Sequence, residues 1–299
     1  MWSLKIVAIW VIIFLFSSCL DKPTKQEEKP VSVVAVETPV HRAARTFWDG
    51  YDYSNMRMLE DSISFYKAFA AWGELLLQLP VEEGAAITGK FIADGSNYPE
   101  MQVQLMRIAE LCFNDPNSFY RNEELYLPML DAILQAPNVE EASKSRYRFQ
   151  HRMAMKNRKG TQAEDFRYIT SEGERGNLHQ WSHDYILLYF FNPECHDCAR
   201  VKAYIEASPV IGKLQEKGRL KIIAIYPDED MGAWNRHVGE NPNGWVTARY
   251  ISMDEAEAFY LPAIPNLYLL DKDKKVLLKD APIEQIEKML VDENLILFR

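Results

Sequence analysis

Residues 185–207 read YILLYFFNPECHDCARVKAYIEA, and the fold follows from how that stretch divides. Seven apolar residues, Tyr185 through Phe191, stop at Asn192-Pro193, the pattern of a fully buried strand closed by a turn. Cys195-His196-Asp197-Cys198 comes next, and Val201, Tyr204 and Ile205 then recur at helical spacing. Two thiols therefore stand where a buried strand hands over to the first turn of a helix. The unpaired N–H groups and the dipole of a helix start favour negative charge, hence thiolate over thiol at the first cysteine. A thiolate beside a second cysteine closes and opens a disulfide reversibly.

The competing reading of C-x-x-C is half of a zinc site, which wants four ligands, usually from two such pairs. The other cysteines, Cys19 and Cys112, have no cysteine or histidine at ligand spacing, so no metal site is expected. An inert buried pair fits the strand–turn–helix setting less well than an exchanging one.

The chain has 299 residues, enough for two domains that each bury a core. A formal charge of −9 without a basic stripe argues against nucleic acid as a partner. At the N-terminus, Lys5 precedes an apolar run at 6–16, eleven residues where a spanning helix needs about 20. Phe16-Ser17-Ser18-Cys19 follows and resembles the lipobox of bacterial lipoproteins, although Phe16 stands where that motif more often has leucine. The resemblance implies a signal peptide over 1–18 and lipidation at Cys19; the alternative is ordinary cleavage nearby, with Cys19 an incidental thiol. Either route exports the chain to where disulfides persist. Residues 19–40, with three prolines and no amphipathic period, read as a tether with a reach of roughly 25 Å.

Residues 41–158 carry a helical pattern. Leu59, Ile63, Tyr66, Phe69, Ala70, Leu75, Leu76 and Leu79 suggest one stripe, stopped by Pro80. Further helices are expected over 81–93, over 99–113 with Pro99 in the first turn, from Asn122 with a kink or break at Pro128, and over 140–158. Cys112 reads as a buried inert thiol beside Leu105, Ile108 and Leu111. His41 and His151 have no partner at metal spacing, and Phe47, Trp48, Tyr51 and Tyr53 read as core rather than as a binding surface.

From 159 to 299 the pattern changes. It predicts a short strand and turn before residue 181, the 185–191 strand, one helix from the cysteines to Gly218, a strand at 220–226, a helix near 231–238, and a strand at 245–252. A hairpin of 266–270 and 276–279 and a helix at 283–290 end the chain.

That order, with C-x-x-C at the first helix, resembles the thioredoxin fold, an α/β fold here preceded by an all-α helical domain. The long insertion between 220–226 and 266–270 resembles the TlpA-like branch of envelope thiol–disulfide oxidoreductases. The resemblance rests on residues 160–166 (GTQAEDF), on the strand–CHDC–helix unit, and on Ile264-Pro265 before a strand, 70 residues beyond Cys195. It implies Cys195 as attacking thiol, Cys198 as resolving thiol, and Ile264 with a cis Pro265 as a ledge pairing with an extended substrate. Pro262 reads as a loop residue. Glu194 replaces the tryptophan common before the first cysteine, Tyr189 stands where thioredoxins bury a carboxylate, and Val201 replaces a glutamate some relatives carry. The proton that Cys198 exchanges must then involve Glu194, Asp197 or water. Glu194 and Asp197 oppose the thiolate at Cys195, whereas a protonated His196 favours it. Residues 114–126, NDPNSFYRNEELY, are similar to a helical domain of unknown function that precedes thioredoxin-like domains in bacterial lipoproteins.

The expectation is an envelope protein, lipid-anchored and facing the periplasm, acting as a thiol–disulfide oxidoreductase, a reductase rather than an oxidant. It needs no cofactor; its partners are a protein disulfide substrate and an upstream thiol reductant. The rival is a thioredoxin-fold binding or scaffold module with a structural or vestigial disulfide. A third reading is metal carriage by Cys195, Cys198 and His196.

Overall fold

The computed structural model describes residues 37–59 and 62–293; the expected signal peptide, Cys19 and the tether as far as residue 36 lie outside the described residues. The first helix, α1 (Pro39–Thr46), begins inside the stretch read as tether, with the Thr38 side chain accepting from the His41 N–H. Next come α2 (Ser62–Leu76), α3 (Val81–Asp94) and α4 (Pro99–Ala109), whose last turn widens into a π-helix over Glu110–Asn114. α5 (Glu123–Gln135) and α6 (Glu141–Ala154) complete the helical half.

These helices enclose one core. Its α2 stripe is Phe65, Phe69, Trp72 and Leu76, and Ile63 points to solvent at 69% exposure, contrary to the stripe read from sequence. Both phases are apolar, and the i, i+4, i+7, i+11 set wins because it carries the larger rings. Trp72 Nε1 donates to the Ala44 carbonyl at 2.9 Å and fixes α1, while Trp48 stacks on Phe65 with ring centres 5.3 Å apart. Cys112 is buried, but Leu111, read as its neighbour on the apolar face, is 54% exposed because the π turn rotates it outward. α5 runs unbroken through Pro128 and lies close against α3. A Cβ at Gly89 would come within 2.9 Å of Pro128 Cβ, so only glycine permits the approach.

The second half is a seven-stranded mixed sheet. β1 (Arg167–Thr170) and β2 (Arg175–Asn177) form a hairpin; β3 (Tyr185–Phe190) is buried along its length and leads to α7 (His196–Ala207). The single helix expected up to Gly218 is in fact two. Pro209 has no N–H to continue α7, and the Ser208 hydroxyl instead accepts from Ile211 N at 3.1 Å and caps α8 (Pro209–Glu216). β4 (Leu220–Tyr226), α9 (Met231–His237), β5 (Val246–Tyr250), β6 (Asn266–Asp271), β7 (Val276–Lys279) and α10 (Ile283–Glu293) follow. The strand order is β2-β1-β5-β4-β3-β6-β7, with β3 parallel to β4 and antiparallel to β6. Alternation along β3 sends Leu187 and Tyr189 toward α7, α8 and α10, and Ile186, Leu188 and Phe190 into a second core with Phe166, Tyr250 and Phe259.

From Thr38 onward the chain belongs to one compact unit. Lys279, at the end of β7, donates to Glu123 Oε1 at 2.9 Å and to the carbonyls of Ala154 and Lys156 at 2.8 Å each. Arg121 pairs with Asp280, and Asn157 Nδ2 donates to the Ala258 carbonyl at 2.9 Å. Among the described residues no helix is long and apolar enough to cross a membrane.

Candidate functional site

The turn after β3 is built by Asn192. Its carbonyl accepts from Cys195 N at 3.0 Å, its Oδ1 accepts from Glu194 N at 2.9 Å, and its Nδ2 donates to Asp228 Oδ2 at 2.8 Å. Its own N–H points at Cys198 Sγ, 3.5 Å away. One side chain therefore ties the end of β3 to the end of β4 and sets where the helix begins.

Cys195 is the N-cap of α7, its Sγ accepting from Cys198 N at 3.3 Å. A sulfur occupies the position where a serine or aspartate oxygen usually satisfies the first free amides. Cys195 is half-buried and Cys198 is 2% exposed, so one sulfur can meet a partner while the other stays behind it. The two thiols are free and their side chains hydrogen-bond to each other. Burial, then that bond, pushes the Cys198 thiol up to about 12.

The Ile264–Pro265 peptide is cis, and the Cys195 thiol donates to the Ile264 carbonyl at 3.7 Å. The sheet thus brings residues 195, 198, 264 and 265 together. The flanking groups turn away from the sulfurs. Glu194 Oε1 lies 2.6 Å from Arg236 of α9, Asp197 Oδ1 lies 3.3 Å from Arg200, and His196 is exposed at the first turn. Neither carboxylate named as proton partner from sequence is hydrogen-bonded to Cys198.

Tyr189 has a role that sequence reasoning missed. Its hydroxyl donates to the Cys198 carbonyl at 2.7 Å, and burial raises its pKa. The sequence showed a missing carboxylate, but only the register of β3 against α7 shows that the phenol braces the helix from below. Asn192 was legible only as a turn residue. Among the described residues no three His, Cys, Asp or Glu side chains gather where they could hold a metal ion.

Beside Pro265 a cavity of about 530 Å³ runs between Arg200, Val201 and Tyr204 of α7 and Pro116 and Arg121 of the helical half. The helical half is therefore one wall of the cleft that passes the cis proline.

A domain of unknown function (DUF5106) matches residues 21–157. None of the curated proteins matches the chain. Among solved structures, a thioredoxin-like protein from Bacteroides caccae is 31% identical over 92% of this chain and 100% of its own, with a TM-score of 0.82. The C-terminal domain of an uncharacterized protein from Bacteroides fragilis is 39% identical over 45% of this chain and 98% of its own (TM-score 0.44). The thioredoxin domain of a thiol-disulfide oxidoreductase from Bacteroides vulgatus is 19% identical over 44% of this chain and 98% of its own (TM-score 0.39). The identity to the Bacteroides caccae protein extends through both the helical half and the sheet, and on that ground the chain belongs to the thioredoxin-like proteins.

Proposed function

We propose that the protein is an envelope thiol–disulfide oxidoreductase of the TlpA-like kind, working as a reductase. One observation carries this reading: the half-exposed Cys195 Sγ caps α7, faces the carbonyl of the cis Ile264–Pro265 peptide, and has the buried Cys198 behind it. Cys195 attacks one sulfur of a protein disulfide, and the other substrate sulfur leaves and takes a proton. Cys198 then attacks Cys195, the mixed disulfide breaks, and the second substrate thiol departs. Negative charge returning to Cys195 Sγ, when an upstream thiol reductant reopens the pair, meets the Cys198 N–H already aimed at it. Ile264 offers its carbonyl to an extended substrate, and Pro265 shapes the ledge beside it. The residues at 5–19 support export and a lipid anchor on Cys19, with the folded part facing the periplasm. Cys19→Ser should then move the protein from the membrane to the soluble fraction.

The deciding assay is reduction of a peptide disulfide by the full chain with a dithiol donor. Cys195→Ser should fall to background, and turnover equal to wild type defeats the proposal. Cys198→Ser should leave a substrate covalently attached to Cys195.

A second reading, a binding module whose cysteines no longer exchange, draws on Tyr189 and Val201, which fill the two positions where a proton-handling carboxylate would stand. A redox titration separates the two. A midpoint well below about −300 mV marks a structural disulfide, and one above it an exchanging pair.

A further inference from the structure

Resolution of the mixed disulfide needs a proton acceptor, because a buried thiol must ionise before its sulfur attacks. Burial and the bond to Cys195 push the Cys198 thiol up to about 12, and Tyr189, although it touches Cys198, is no base for it, because burial raises its phenol and keeps it protonated, donating to the Cys198 carbonyl. Behind Cys198 lies a cavity of about 60 Å³ bounded by Tyr189, Asn192, Cys198, Lys202, His237 and Glu240. That space takes about one or two water molecules, and its lining mixes these polar groups with the apolar Phe191, Pro193 and Ala199.

His237 Nδ1 is 2.7 Å from Glu240 Oε1. A carboxylate at that distance keeps a proton on Nδ1 and leaves a lone pair on Nε2. Nε2 in turn faces Glu194 Oε1 at 3.8 Å, so an imidazolium formed there has a carboxylate on each side. The pair is held against α7. Asp230 caps α9 by accepting from Gly232 N at 2.7 Å and Ala233 N at 3.1 Å, and the Lys202 ammonium donates to the Glu240 carbonyl.

We infer that His237, oriented by Glu240, accepts the Cys198 proton through water in this cavity, replacing the carboxylate absent from β3. The inference rests on the exchange reading above and deepens it. The Cys198 S–H proton passes to the water, and a proton of that water passes to Nε2. The Cys198 sulfur bonds to Cys195 Sγ, the bond from Cys195 to substrate breaks, and the departing substrate sulfur takes a proton from the imidazolium or from solvent. Two electrons leave the cysteine pair for the substrate, and an upstream protein dithiol returns them. His237 is a relay residue acting through water.

The test uses the reduced full chain in detergent and the aromatic disulfide DTNB, whose thionitrobenzoate product is coloured. Attack by Cys195 releases the first thionitrobenzoate, and closure by Cys198 releases the second. His237→Gln should leave the first release within about two-fold and slow the second about ten-fold or more near neutral pH. Glu240→Gln should slow it less, and added imidazole should restore the second release in His237→Ala. A second release in His237→Gln at the wild-type rate across the pH range overturns the relay, as does a slow, folded His237→Ala that imidazole does not rescue. Should His237→Gln fail to fold, an unchanged second release in Glu240→Gln overturns it. A wild-type protein that releases only the first thionitrobenzoate refutes the exchange reading itself, so the two failures are distinguishable.

Discussion

At the level of single residues, Cys195 Sγ does two jobs at once, since it closes the open end of α7 and is the sulfur that faces the cis peptide. A serine oxygen caps as well as a sulfur does. Cys195→Ser should therefore unfold in urea within about 1 kcal/mol of wild type while losing exchange, and a collapse in stability would show that the cap argument is wrong. The thiols also make alkaline stability a readout. Burial puts Cys112 and Cys198 each at about 12, above the unfolded thiol at about 8.5, so the fold keeps their full contribution below that lower pH. It then loses up to about 1.4 kcal/mol per pH unit for each thiol as pH rises toward the folded value. Urea titrations of the reduced protein at pH 8 and 11 measure this, and Cys112→Ala should show a shallower loss. At this scale the sequence was most legible where chemistry is carried by adjacent residues: 195 and 198 are neighbours on one turn, and Ile264-Pro265 is a recognisable pair. His237 and Glu240 were illegible because nothing in the intervening chain says that α9 folds back onto α7.

Secondary-structure elements were legible wherever apolar period and punctuation agree, as at β3, β4 and α3, whereas the break offered at Pro128 is absent from α5. They were misread where a strong period hid a stop. The chain from 196 to 217 has helical composition throughout, and the break at Ser208-Pro209 depends on a cap rather than on hydropathy. The Ser208 hydroxyl accepts from Ile211 N and donates to Glu287 Oε1 at 2.5 Å, and Tyr204 donates to Glu287 Oε2 at 2.6 Å, so the joint between α7 and α8 is pinned to α10. Ser208→Ala should cost about 1–2 kcal/mol in urea unfolding, and a cost near zero would mean that Pro209 alone sets the break. The α2 phase was ambiguous for a different reason. With both Ile63 and Phe65 apolar, only the partners Trp48 and Phe91, brought from other elements, decide which side is inward.

Across the whole molecule, the seam between helices and sheet is polar and buried. Burial raises the Asp280 and Glu123 carboxyls and lowers the Lys279 ammonium, so each charge on the seam is held against its own desolvation by its partner. Arg121→Ala leaves Asp280 without its counter-charge and should cost about 3 kcal/mol at neutral pH. The penalty should shrink in acid, where Asp280 is protonated; a penalty equal at pH 4 and pH 7 would assign the loss to packing instead. Asp280 Oδ1 also accepts from Asn266 Nδ2 at 2.6 Å, and Asn266 directly follows Pro265. A protein trimmed to begin after Arg158 would strip Lys279 of Glu123 and of two carbonyl acceptors, and would free Asp280 from Arg121. Its ledge residue would then hang from a side chain no longer anchored on the far side. Disulfide-exchange rates obtained with such a fragment would describe a different cleft from that of the full chain.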